Sequence, residues 1–336
     1  MPHPSPAAKP TATTRKDVAR LAGVSTAVVS YVVNGGPKRV SPATEAKVRN
    51  AIAALGYRPN AAARALKLGS SEMLGMVVPD VTNPFFVMLA HAVEESAAER
   101  GYTLLTANSD ASVATERRHV ETLAGRRVDG VFLSSVLFEP DLRELEQAEI
   151  PVVLLNHSAK SPGFDSVGVD LLGGARQAVE HLVWHGHRRI GLIMGTNTAG
   201  GLDAREVGWR GAMEAAGLPA GPVIHVAFGR KDGYQAGKWL LNSSDVPTAV
   251  FASSDTLAVG LLLALHEAGV RVPEDIAIVS FDGSPEAEYS WPPLTTLAQP
   301  VEEMAHAAVE ALVGGGGHKR NRIFPATLVR RASCGC

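Results

Sequence analysis

Apolar positions fall into two regimes along the chain. Up to about residue 60 they recur every three or four residues, and from Ser71 onward short continuous apolar runs alternate with helical stripes. In the first regime Val18, Leu21 and Ala22 predict the inner stripe of a helix over 15–22. Thr14 is placed to cap it by accepting from the Asp17 amide, Asp17 sits against the positive end of the dipole, and Gly23 stops it. Ser25 caps a second helix with Val28, Val29 and Val32 inward and Thr26, Ala27, Ser30 and Tyr31 outward. Ser41-Pro42 opens a third that runs to about Leu55. Helices of eight residues are marginal alone, so the three must bury one shared core. Two short helices joined by a three-residue turn over a valine seam make a helix-turn-helix. The small polar outer face of the second fits a major groove, and its capped N-terminus suits a phosphate.

In the second regime the pattern predicts strands over 74–78, 103–107, 130–134, 152–156, 190–194, 223–227, 249–252 and 276–280. Amphipathic helices are expected over 85–100, 115–126, 171–185, 205–216, 233–241, 256–268 and 301–313. That alternation argues an α/β body of parallel sheets with crossover helices, in one sheet or two. Between the regimes lies 61–69, alanine-rich with Leu66 and Leu68 its only bulk and too short for a stable isolated helix. It folds against its own copy or a DNA groove, or it is a linker helix.

Charge sharpens the division. Residues 1–68 hold eleven lysines and arginines against Asp17 and Glu45, a net of +9, and the remaining chain has a net of −11. A cationic front joined to an anionic body suits a front that touches a polyanion, although a solvated basic face accounts for the charge equally well. No apolar run reaches the length of a membrane span, and the start resembles no signal peptide, so no membrane partner and a reducing cytoplasm are expected. The two cysteines, Cys334 and Cys336, have no other cysteine or histidine run near them along the chain, so neither a disulfide nor a zinc site is expected.

Catalytic signals are weak. The glycine-rich stretch 195–201 lacks the Lys-Ser/Thr of a phosphate loop, His266-Glu267 has no second histidine at metalloprotease spacing, and there is no Gly-x-Ser-x-Gly elbow. His185-Gly186-His187 falls at a helix-to-strand turn. No enzyme, metal or cofactor is expected.

The stretch Lys16-Asp17-Val18-Ala19-Arg20-Leu21-Ala22-Gly23-Val24-Ser25, with Val29-Ser30, Val33-Asn34-Gly35, Val40-Ser41 and Leu55-Gly56-Tyr57-Arg58-Pro59-Asn60-Ala61-Ala62-Ala63-Arg64-Ala65-Leu66, closely resembles the LacI/GalR family of bacterial transcription repressors. Val78-Pro79-Asp80, Asn83-Pro84-Phe85-Phe86, His181-Leu182, Gly186-His187-Arg188-Arg189-Ile190, Gly208-Trp209, Ser254-Asp255, Phe281-Asp282 and Pro293-Leu294-Thr295-Thr296 extend the likeness through the body. The resemblance implies a disordered arm over 1–13, a helix-turn-helix over 14–59, a hinge helix over 60–70 and an effector-binding and dimerisation module over 71–336. That module is of the periplasmic-binding-protein kind, two doubly wound subdomains with crossings near 166, 290 and 322.

It also implies DNA contacts: Thr26, Ala27 and Tyr31 as base-reading positions, Ser25 and Ser30 as phosphate contacts, Asn34 beside them, and Ala63 and Leu66 entering the minor groove with Leu66 as the wedge. Most members carry arginine where this chain has Tyr31, so the usual bidentate guanine contact is absent. In open α/β sheets ligands sit beyond the carboxyl ends of strands, which selects Asp80, Asn156, Ser254, Asp255 and Asp282. With the guanidinium of Arg205 these groups suit the hydroxyls of a carbohydrate. The resemblance adds Phe85, Phe86 and Phe228 as ring-stacking faces, although a turn at Asp282, a helix cap at Asp255 and a core role for Phe85 or Phe86 are the plain alternatives. The expectation is a homodimeric repressor that reads a near-palindromic operator and is released by a sugar. The alternatives are a sugar-binding protein of the transport type and a nucleotide-binding enzyme.

Overall fold

The structure is a computed structural model that describes residues 13–34, 39–59, 65, 69–135, 137, 140–156, 163–196, 202–314 and 321–336. The chain divides into two units, Met1–Ser71 and Glu72–Cys336.

The first unit contains α1 (Arg15–Ala22), α2 (Thr26–Asn34) and α3 (Pro42–Leu55). Their shared core is Val18, Ala19, Val29, Val48, Ala51 and Tyr57, with Val28, Val32, Ile52 and Leu55 packed against it. At the start of α1 Thr14 and Asp17 form a reciprocal capping box. Asp17 accepts from both the amide (3.0 Å) and the hydroxyl (2.6 Å) of Thr14, which holds its carboxyl below the usual range. Gly23 and Gly56 end α1 and α3 in the left-handed conformation. Leu21, expected inward, is exposed, because the face of α1 that meets its neighbours is centred on Val18 and Ala19.

The second unit carries two six-stranded sheets. The first contains β1 (Met73–Val78), β2 (Thr103–Asn108), β3 (Gly130–Leu133), β4 (Val152–Leu155), β5 (Asp165–Val169) and β11 (Asn321–Phe324), in the order β11-β5-β4-β3-β1-β2 and wholly parallel. The second contains β6 (Ile190–Gly195), β7 (Val223–Val226), β8 (Ala249–Ala252), β9 (Ala277–Asp282), β10 (Thr295–Ala298) and β12 (Thr327–Val329), in the order β12-β10-β9-β8-β6-β7. Only β12 runs antiparallel in it.

Helices cover both faces of each sheet, which is why the central strands read as continuous apolar runs. On the first sheet α4 (Pro84–Ala98) shares one core with Val301–Val313, and α5 (Val113–Gly125) lies over the other. On the second, α7 (Leu171–Trp184) and α8 (Ala204–Ala215) close a core around the fully buried Trp209, and α9 (Arg230–Leu241) and α10 (Asp255–Glu267) close the opposite face. The helix Arg143–Gln147, here α6, follows β3.

The chain passes between the sheets three times: from β5 into α7 at Asp170, from β10 through Gln299-Pro300 into Val301–Val313, and from β11 to β12 through Pro325-Ala326. The middle passage lies about ten residues beyond the expected 290, because β10, which the apolar pattern did not reveal, occupies Thr295–Ala298. β5 runs parallel to β4 and β11, β10 runs parallel to β9, and both leave their sheets at their carboxyl ends to reach the other sheet. The carboxyl ends of both sheets are therefore turned toward the crossings, and this is the place where a doubly wound sheet binds ligands.

Candidate functional site

On the first unit, Ser25, Thr26, Ala27 and Asn34 are exposed on α2 and Tyr31 is half-buried. Ser25 Oγ accepts from the Val28 amide at 3.3 Å, which leaves the first amides of α2 at the open end of the helix. Ser30 departs from the expectation. It is buried beside Val29, and its Oγ accepts from Asn34 Nδ2 at 3.1 Å, one turn along the helix. The hydroxyl braces α2. Both acids of the unit are engaged within their own helices, Asp17 by Arg20 and Glu45 by Arg49, each at 2.7 Å. Arg15, Lys16, Lys47 and Arg58 are exposed. Ala63 and Leu66 lie outside the described residues.

In the second unit the carboxyl ends of the strands collect polar groups. Asn156 directly follows β4 with φ +53°, and Asp282 ends β9 with φ +116°. Positive φ is costly for residues with a side chain and is tolerated where the surroundings enforce it, often at binding sites. Asn156 Oδ1 is buried with no partner among the described residues, and so is Gln299 Oε1, at the middle crossing. Buried oxygens of this kind carry a desolvation cost that a hydroxyl-bearing ligand relieves.

Asp282 Oδ1 accepts from Gln299 Nε2 at 2.9 Å. Burial, joined by the neighbouring Asp255 carboxyl, pushes the Asp282 carboxyl well above the ordinary value, although Arg205 acts in the opposite direction. Arg205 directs Nε and Nη2 to the two oxygens of Asp203, and Nη1 to the Ser253 carbonyl at 2.8 Å. Burial alone would lower the Arg205 pKa, but Asp203 and Asp282 hold it above the usual arginine value. The guanidinium carbon stands 5.4 Å from the centre of the Phe228 ring and 5.9 Å from that of Phe281. Phe228 lies against Gly195, where a Cβ would fall 2.2 Å from ring carbons. A planar cation, an aromatic face, a carboxyl and the Gln299 amide oxygen thus gather at the ends of β6, β8, β9 and β10, and the Asn156 oxygen stands at the end of β4.

Other expected residues are placed differently. Asp255 is fully buried, and its oxygens accept from Ser280 Oγ (2.6 Å), Thr296 Oγ1 (2.7 Å) and the Ser284 amide (2.6 Å). It ties β9 to β10. Ser254 is buried and caps α10 through the Leu257 amide. Phe85 belongs to the first sheet's core, where Phe86 meets it edge-on with ring centres 5.1 Å apart; Phe86 remains half-buried. Asp80 is half-buried and closes its own turn, accepting from the amide and hydroxyl of Thr82. Asp203 and Gln299 were missed by the sequence reading. Asp203, two residues before Arg205 at a helix start, carries a cap signal only, and Gln299 follows a strand that the apolar pattern did not reveal.

The geometry defines a helix-turn-helix protein with a two-sheet ligand-binding module. Residues 14–60 match the family described as bacterial regulatory proteins, lacI family, and 179–334 match the periplasmic binding protein-like domain. The chain is 35% identical over 329 residues to the HTH-type transcriptional repressor PurR of Photobacterium profundum, covering 95% of this chain and 98% of the relative. It is 38% identical over 304 residues to the ribose operon repressor of Escherichia coli, covering 89% and 92%. Among solved structures it is similar to the Lac repressor dimer bound to operator and the anti-inducer ONPF, with 28% identity, a TM-score of 0.85 and coverage of 96% and 99%. The chain belongs to the lacI family of bacterial regulatory proteins. It is a sequence-specific DNA-binding transcriptional repressor governed by a small-molecule effector, and it is not an enzyme. Among the described residues no helix is long and apolar enough to cross a membrane.

Proposed function

We propose that the protein acts in the cytoplasm as a homodimer whose paired heads read a near-palindromic operator, and that a sugar bound at the carboxyl ends of the two sheets releases it. The observation that carries this reading is the Arg205 guanidinium, held in plane by Asp203 beside the Phe228 ring and the Asp282 carboxyl. A planar donor fork, an aromatic face and acceptor oxygens together recognise a ring with neighbouring hydroxyls. The ribose operon repressor among the relatives and the operator-bound Lac repressor dimer support the sugar, the operator and the pairing.

Ser25, Thr26, Ala27, Tyr31 and Asn34 meet the duplex, and Ala63 and Leu66 of the two copies open the minor groove between the half-sites. Asn156, Arg205, Phe228, Asp282 and Gln299 hold the effector, with Asp80 and Phe86 on the side of the first sheet. Release is linkage: an effector that binds the DNA-free arrangement better by about 1.4 kcal/mol weakens operator affinity tenfold.

The test is operator-fragment binding by the full-length protein in the presence and absence of a panel of pentoses, hexoses, disaccharides and nucleosides, with thermal shift in parallel. A sugar that raises the melting temperature and weakens DNA binding is the expected result. Nucleosides doing so while every sugar fails would overturn the sugar assignment, and failure to bind any promoter fragment at low salt would overturn the operator reading.

A further inference from the structure

Residues 333–336 meet the C-terminal end of α7. Ser333 Oγ donates to the Ile278 carbonyl at 2.7 Å and accepts from the Thr295 amide at 2.8 Å, which fixes the tail on β9 and β10. The next residue, Cys334, is buried in the core under α7. Gly335, with φ +88°, turns the chain so that Cys336 comes back beside Cys334. From the other side His181, in the last turn of α7, and His185, its C-terminal cap, present both imidazoles on one face, as residues four apart do.

His181 Nε2 lies 3.3 Å from Cys334 Sγ and 3.5 Å from Cys336 Sγ, and His185 Nε2 lies 3.3 Å from Cys336 Sγ. All four candidate ligand atoms fall within 4.8 Å of one another. A tetrahedral zinc ion with Zn–S of about 2.3 Å and Zn–N of about 2.0–2.1 Å sets its nitrogen and sulfur ligands about 3.5 Å apart. The expectation of no zinc site rested on distance along the chain, and the fold cancels that distance.

We propose that His181, His185, Cys334 and Cys336 form a tetrahedral site for a divalent transition metal, zinc by its chemistry, that fastens the tail to α7. Two thiolates and two neutral imidazoles balance a dication, and a mixed sulfur and nitrogen set selects zinc over calcium or magnesium. Binding converts both thiols to thiolates and releases two protons to the solvent. The surroundings fit that state. Thr295 Oγ1 stands 3.0 Å from Cys334 Sγ and can donate to it, as outer-shell groups do at metal sites. His181 and Cys334 are buried whereas Cys336 is exposed and His185 half-buried, which gives an ion a way in. A Cys334–Cys336 disulfide would leave the two converging imidazoles without a role.

The experiment uses the full-length protein, reduced and stripped with a chelator, and titrated with cobalt(II) and then zinc. Expected are one metal per chain, a thiolate-to-cobalt charge-transfer band with tetrahedral d–d bands, displacement by zinc, and a rise in melting temperature with zinc. Trp184, stacked on His181 and edge-on to His185, reports the same event by fluorescence. Cys336→Ser and His185→Gln, both reachable from the surface, should lose the cobalt bands and the zinc-dependent shift yet melt with the metal-free protein. Their affinity should fall by more than the roughly tenfold to hundredfold of an outer-shell change. Absence of the charge-transfer band in the reduced wild type, or unaltered zinc binding in both variants, would overturn the site.

Discussion

Arg205 and Asp203 form a two-pronged ion pair, Nε to Oδ1 at 2.9 Å and Nη2 to Oδ2 at 3.0 Å, with side chains only 12% and 13% exposed. The pair sets the plane of the guanidinium before any ligand arrives, so little orientational freedom remains to be lost on binding. Burial works against the Asp203 carboxylate, but Arg205 holds its pKa below the ordinary value, so the pair persists until pH falls below the carboxylate range.

Asp203→Ala should leave operator binding intact, weaken the effector response at least tenfold, and cost about 3 kcal/mol of stability by stranding a buried charge. Denaturant titration and DNA binding with and without effector measure both. A normal response would show that Asp203 does not orient Arg205.

Asp282→Asn should separate stability from function. A carboxyl whose folded pKa is raised destabilises the fold above that pKa, and the cost disappears as pH falls through it. The variant should be more stable at neutral pH by about 0.5–2 kcal/mol, with the gap closing on acidification, and its effector response should be weaker. A gap that widens in acid would reverse the assignment.

Gly195→Ala forces the Phe228 ring out of its place, because the new methyl would meet ring carbons at 2.2 Å. The expected cost is about 1–3 kcal/mol, together with reduced effector affinity and unchanged operator affinity. Calorimetric titration of the effector checks this.

On the DNA side, replacing Arg15 or Lys16 by glutamine should flatten the log-log dependence of operator affinity on salt by roughly 0.9 for each phosphate no longer neutralised. An unchanged slope in the double variant would place the duplex on another face of the head.

Leu66→Ala should lower specific operator affinity at least tenfold, about 1.4 kcal/mol, while non-specific binding persists. Equal affinity for the operator would remove the wedge.

Local pattern alone located much of this molecule. The bounds 15–22, 42–55 and 301–313 coincide with α1, α3 and Val301–Val313, because caps, glycine stops and a 3.6-residue apolar stripe are properties of neighbouring residues. The central strands were legible because both their faces are covered. β5, β10, β11 and β12 were not: they are three to five residues long and lie at the crossings, where polar residues interrupt the apolar run. Strand-end reasoning selected Asn156, Asp255 and Asp282 alike but could not see that Ser280, Thr296 and Ser284 occupy the oxygens of Asp255. The family-implied Phe85 proved to be core.

What the amino-acid order determined by itself is the class of each segment and the cationic head, since propensity, capping and charge act over a few residues. What only the tertiary structure decided is which distant groups meet: Gln299 with Asp282, Arg205 with Ser253, and His181 with Cys334 across 153 positions. Such contacts are fixed by strand order and by three passages between two sheets, and no local period encodes them.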